Sequence, residues 1–106
     1  MVTPSERFED ALTKDNLWIY ILTLLEKETL YPYEIREKIK KQFGFYPGNV
    51  TAYIVIKKLE SEGYIRLVRV LKESGPNRKY YKITHKGKKE LEKAKEIYKR
   101  MKKFFE

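Results

Sequence analysis

The chain has no cysteine and a single histidine, His85. The first absence excludes a disulfide framework, a thiolate zinc site and a cysteine nucleophile together. The second removes multi-histidine metal sites and most histidine-based catalytic dyads within one chain. His85 itself reads as a surface residue. No stretch approaches the roughly 18 consecutive apolar residues of a membrane-spanning helix, and residues 1–10 carry charges but no apolar run, so neither a membrane partner nor a signal peptide is expected. There is no repeat, low-complexity tract or Ser/Gly linker in the 106 residues, so one compact unit is expected. No nucleophile–base pair, metal cluster or phosphate loop is legible. The expectation is a non-enzyme with no cofactor and no metal, working in the cytoplasm.

Acidic residues are scarce except at the start. Residues 1–30 hold three bases and six acids, 31–60 six and three, 61–83 six and two, and 84–106 nine and four, for a net charge of +9. An acidic beginning followed by a basic body points to a polyanion, with nucleic acid first. Lysine-rich helices can also be plain solvated faces, so charge alone does not settle the partner.

Hydrophobic spacing supplies the elements. Pro4-Ser5-Glu6 starts a short helix carrying Phe8, Ala11 and Leu12. Thr13 reads as the N-cap of a second helix, with Asp15 in its first turn. Leu17, Trp18, Ile21, Leu22, Leu24 and Leu25 fill a broad face there, so this helix is expected to be the most buried. Thr29-Leu30-Tyr31 reads as a stub of strand. Pro32 suits a first helical position. Ile35, Ile39 and Phe43 then share one face, and Gly44 stops the helix. A third helix is expected over 49–62, with Asn49 as cap, a core face of Val50, Tyr53, Ile56 or Lys57, and Leu59, and Gly63 at its end. Residues 64–72 read as a strand whose apolar parity switches at Leu67-Val68, the mark of a bulge or of a two-sided strand. Ser74-Gly75-Pro76-Asn77 is a hairpin tip, and Arg78–Ile83 returns with Tyr81 and Ile83 on one face and Tyr80 and Lys82 on the other. Thr84 caps a last helix running to about Phe105, roughly 30 Å long at 1.5 Å per residue.

Helix, stub, helix, turn, helix, basic hairpin and long helix is the order of a winged helix-turn-helix: mainly α with a small β-hairpin (α+β). The third helix of such a fold fits a major groove, and the hairpin reaches phosphates or an adjacent groove. Residues 1–83 would form the DNA-binding unit and 84–106 a C-terminal dimerisation helix within the same compact body.

Three stretches also carry a family likeness. They are Leu30-Tyr31-Pro32-Tyr33-Glu34-Ile35, then Tyr53 with Ile56-Lys57-Lys58-Leu59-Glu60-Ser61-Glu62-Gly63-Tyr64-Ile65, and then Ser74-Gly75-Pro76-Asn77-Arg78-Lys79-Tyr80-Tyr81-Lys82-Ile83-Thr84 followed by Lys86-Gly87. In these the sequence resembles the PadR-like transcriptional regulators, in their short form with one C-terminal helix. The likeness departs from the family at Pro32, where Gly is frequent. It departs again at Val50-Thr51-Ala52-Tyr53-Ile54, where a Gly-Thr-Leu-Tyr-Pro run is usual, so only Thr51 and Tyr53 carry over. The resemblance implies a regulator of transcription, and in some members an aromatic effector held in a cleft between subunits, for which Trp18 would be a flat wall. The plainer role of Trp18 is core packing or a dimer contact.

The expected DNA contacts are Asn49 and Thr51 at base edges, Tyr53 and Lys57 at phosphates, and Arg78 and Lys79 on the wing 72–80. Leu91, Ala94, Tyr98, Met101 and Phe105 recur at spacings of three and four, and Ile97 and Phe104 widen the seam. A second copy of the chain is the expected cover. The leading expectation is a homodimeric, sequence-specific repressor on a palindromic double-stranded operator. The alternatives are a winged-helix module for protein–protein contact and a non-specific nucleic-acid binder.

Overall fold

Leu17, Ile21, Leu22, Leu24 and Leu25 are buried along one helix, α2 (Leu17–Lys27), against which three further helices and one strand of the hairpin pack. In the computed structural model, residues 2–72 and 75–106 are described. Ser74, assigned above to the hairpin tip, lies outside them. The helix α1 (Pro4–Leu12) opens with a reciprocal cap: the Thr3 hydroxyl accepts from Glu6 N–H at 3.1 Å, and the Glu6 carboxylate accepts from Thr3 N–H at 3.3 Å. None of its residues is buried.

Thr13 does not cap α2. Its hydroxyl donates to the Glu9 carbonyl at 2.8 Å, and a 3-10 turn, Lys14–Asn16, comes before α2. The Asn16 amide donates to Ala11 O at 2.6 Å and the Tyr20 hydroxyl donates to Leu12 O. These bonds satisfy the open carbonyls at the end of α1, so residues 11–16 close one helix rather than start the next.

The helix α3 (Pro32–Phe43) starts at the proline, with Tyr31 N–H donating to the Glu34 carboxylate at 3.3 Å. Just before it, Leu30 bridges to Tyr81 through two backbone bonds of 2.9 and 3.2 Å, which is the expected strand stub. Ile35 and Ile39 are buried, while Phe43 stays near the surface with its ring 4.8 Å from that of Tyr20. Gly44 ends the helix at φ 82° and Gly63 closes the next at φ 83°, a region that residues with a Cβ avoid.

The helix α4 (Asn49–Ser61) corrects two expectations. Gly48 occupies the cap position, its carbonyl accepting from Ala52 N–H at 2.9 Å, and Asn49 is already helical. The buried stripe is Ala52, Ile56 and Leu59, whereas Val50 and Tyr53 are exposed. Val50, Ala52, Ile54 and Val55 put apolar groups all round the helix start. Periodicity therefore selects no unique face, and packing does: positions 52, 56 and 59 form the i, i+4, i+7 line that meets α2 and α3.

The strands β1 (Ile65–Leu71) and β2 (Arg78–Ile83) pair antiparallel, Ile65 opposite Ile83 and Leu67 opposite Tyr81. The register then jumps to Arg69 opposite Tyr80, so Val68 is the bulge. Tyr81 and Ile83 face the core as expected. Tyr80, on the other face, is buried as well, because the Tyr31 ring (5.2 Å) and the Arg69 guanidinium (4.2 Å) cover it.

The helix α5 (His85–Phe105) is docked at its first turns only. The Thr84 hydroxyl accepts from Gly87 N–H at 3.1 Å and donates to Gly63 O at 2.6 Å. The Lys86 ammonium donates to Glu62 O at 2.6 Å and lies 4.6 Å from the centre of the Tyr64 ring. Leu91 is 2% exposed and sits in the protomer's own core, so it is withdrawn from the expected intermolecular seam. Beyond it α5 leaves the body. The radius of gyration is 15.0 Å and the extents are 51 × 34 × 22 Å. A compact chain of this length would have about 13 Å.

Candidate nucleic-acid interface

The turn between α3 and α4 is set by one side chain. Arg36 Nε donates to the Pro47 carbonyl at 3.1 Å, and its guanidinium lies 4.5 Å from the centre of the Tyr46 ring. Lys40 approaches the same ring from 5.0 Å. Pro47 is buried. This clamp fixes the angle at which α4 leaves the turn, and with it the direction its first residues point.

With Ala52, Ile56 and Leu59 inward, the opposite side of α4 is led by Val50 and Ile54, which are 70% and 59% exposed. Thr51 lies on one flank and Tyr53 on the other, both exposed. Asn49 is exposed beside them at the helix N-terminus, where open N–H groups suit an anion. Three of the expected contacts, Asn49, Thr51 and Tyr53, thus share the first turns of one helix, and Lys57 follows one turn further on. Lys57 is engaged within the protein: its ammonium lies 2.9 Å from the Glu60 carboxylate, which holds it above the usual lysine range. Val50 and Ile54 are the residues sequence reasoning missed as candidates. Val50 falls on the expected core face, and no pattern marks Ile54.

The wing rests on aromatic rings. Tyr31 meets Tyr80 edge-on at 5.2 Å and stacks with Tyr33 at 6.4 Å, and the Arg78 guanidinium sits 5.1 Å from the Tyr31 ring centre. Arg69 covers Tyr80 in the same way. Both arginines are exposed, so the rings restrict guanidiniums that still face solvent. Lys79, opposite Val70, is exposed too. The bulge at Val68 changes the parity of Arg69 and sets it opposite Tyr80, which strand alternation alone does not predict.

Trp18 is partly buried against the core, and its indole N–H donates to the Asn16 side-chain oxygen at 3.3 Å. It lines an open cavity of about 300 Å³ with Val55, Leu59 and Tyr64, rimmed by Lys58, Glu62 and Glu90. On the far part of α5, Tyr98 and Phe105 are exposed, while Ala94 and Met101 are half-buried. Ile97 is exposed, and Phe104 is 86% exposed. Val2, Phe8 and Leu12 are exposed around α1. No described helix is long and apolar enough to cross a membrane.

The sequence profile described as "Transcriptional regulator PadR-like family" matches residues 21–93. No curated protein matches the chain significantly. Among solved structures, a PadR family transcription regulator from Clostridium difficile is 34% identical, with TM-score 0.72 over 82% of this chain and 91% of that one. A PadR-like transcriptional regulator from Bacillus cereus is 30% identical, with TM-score 0.73 over 90% of this chain and 92% of that one. Bacillus subtilis PadR, solved in complex with operator DNA, is 32% identical, with TM-score 0.66 over 76% of this chain and 47% of that one.

Proposed function

This chain belongs to the PadR-like family of transcriptional regulators, and from that footing we propose that it is a homodimeric repressor that binds a palindromic operator. The observation that carries the reading is the outward end of α4, where Val50, Thr51, Tyr53 and Ile54 are all exposed beside a wing bearing Arg69, Arg78 and Lys79. The operator complex of the Bacillus subtilis relative supports the same use of the fold. Residues 1–83 then meet DNA and 84–106 pair two chains, within one body. Occupancy of the operator is enough for repression and needs no further activity. In a two-fold dimer the two α4 helices would lie roughly 34 Å apart, one turn of DNA. Trp18 and its cavity would take a small aromatic or hydrophobic effector.

The wing is tested by charge removal. Arg78→Ala and Lys79→Ala should each weaken binding to all sequences about equally, because phosphate contacts carry no base information. Each should reduce the salt slope, log affinity against log salt, by about one unit. An unchanged slope in the double variant would take the wing off the backbone.

Base reading is tested on α4. Thr51→Ala should cost roughly 1–3 kcal/mol on the operator and little on scrambled duplex. Tyr53→Phe should weaken both alike. Titrations of both variants on both duplexes decide the roles. Equal loss on the two duplexes would move Thr51 from bases to phosphates.

A further inference from the structure

Val50 and Ile54 stand one helical turn apart on the side of α4 facing away from the core, and the proposed function gives neither a base or a phosphate to contact. We infer that this pair reads thymine methyl groups in the major groove, so that the operator carries thymines beneath the centre of α4. The inference rests on the DNA-binding reading above and adds the base it selects.

The groove edge of each base pair presents hydrogen-bonding groups, and its one apolar feature is the C5-methyl of thymine. The outward line of α4 offers Val50 and Ile54 at its centre. Its exposed polar groups, Thr51 and Tyr53, lie to either side. Lys57, beside the line, is held by Glu60. Both central side chains are β-branched and stiff at χ1, so they are preset as rigid knobs. Their Cβ atoms are spaced by about 5–6 Å, and base pairs by about 3.4 Å, so the pair spans methyls one or two base pairs apart. Discrimination runs both ways. A thymine methyl gains apolar contact, whereas a guanine or cytosine edge would lose its water against an aliphatic group without a replacement bond.

The test uses the full chain and an operator selected from a random duplex pool. Each thymine is replaced in turn by deoxyuridine, which removes the methyl and leaves the pairing intact. At the positions under α4, each replacement should weaken wild-type binding about fourfold, the worth of one buried methyl-sized group. Val50→Ala and Ile54→Ala should each abolish the uracil effect at one position. Both sites are exposed and alanine favours helix, so the variants should fold, which thermal melts verify. Specific binding that ignores every uracil replacement, or that stays equally sensitive in both variants, would overturn the inference and leave the repressor reading standing. Equal binding to selected and scrambled DNA would remove both. Selected sites without thymines at the α4 contacts would also overturn it and point to a protein partner for this face.

Discussion

Tyr98→Glu should convert a dimer into a monomer. Ile97, Tyr98, Phe104 and Phe105 are exposed on a helix that has left its own core, and Val2, Phe8 and Leu12 are exposed around another helix that buries nothing. Apolar surface of that extent usually marks a contact site. In a two-fold pair the same residue is buried twice. An unpaired carboxylate in a buried position costs about 3 kcal/mol or more. Two copies would therefore weaken association by roughly 10⁴-fold at 1.4 kcal/mol per decade. Since Tyr98 makes no core contact within the protomer, the variant should keep its helical signal. Sedimentation velocity reads the result: wild type at twice 12.8 kDa and the variant at 12.8 kDa. A wild-type monomer at micromolar concentration would refute the seam.

Gly87→Ala should be the most damaging small substitution in the fold. A methyl at this position would overlap the Tyr64 carbonyl oxygen and lie 2.7 Å from Cγ1 of Ile83. Neither neighbour is free to yield. The Tyr64 carbonyl accepts the Thr84 N–H at 3.0 Å, and Ile83 is a buried end of β2. To make room, the first turn of α5 must lift from Tyr64 and Ile83, straining the bond by which the Thr84 hydroxyl ties α5 to Gly63 O just past α4. Overpacking of this kind costs about 3 kcal/mol. At roughly 4–8 °C per kcal/mol for a chain of this size, the melting midpoint should fall by about 12–24 °C. A midpoint within about 3 °C of wild type, less than 1 kcal/mol on the same scale, would mean that α5 docks differently.

What could be read from the residues was governed by how local each determinant is. Pro32, Gly44 and Thr84 act on their own backbone, and the ends they mark fall where expected. The parity change at Leu67-Val68 is legible as a bulge or a two-sided strand, and the pairing across the hairpin makes it a bulge. The buried face of α4 was not visible, since apolar residues surround its first turns and only the neighbouring helices choose among them. Burial of Tyr80 was hidden for the same reason. It depends on Tyr31, far away in sequence, and on a bulge that brings Arg69 across from it. Arg36, which clamps the turn through Pro47 and Tyr46, had no signature at all. Of the family-run departures, Ala52 faces inward while Val50 and Ile54 face outward, a difference that spacing could not resolve.

The central claim is specific operator binding by a pair of chains. Fluorescence polarisation of the full chain on duplex from its own upstream region, against scrambled duplex at about 150 mM salt, tests it most directly. The account predicts binding at least about 10³-fold tighter to the upstream duplex, saturating at two chains per site. Equal affinity for the two duplexes, or saturation at one chain, would contradict it.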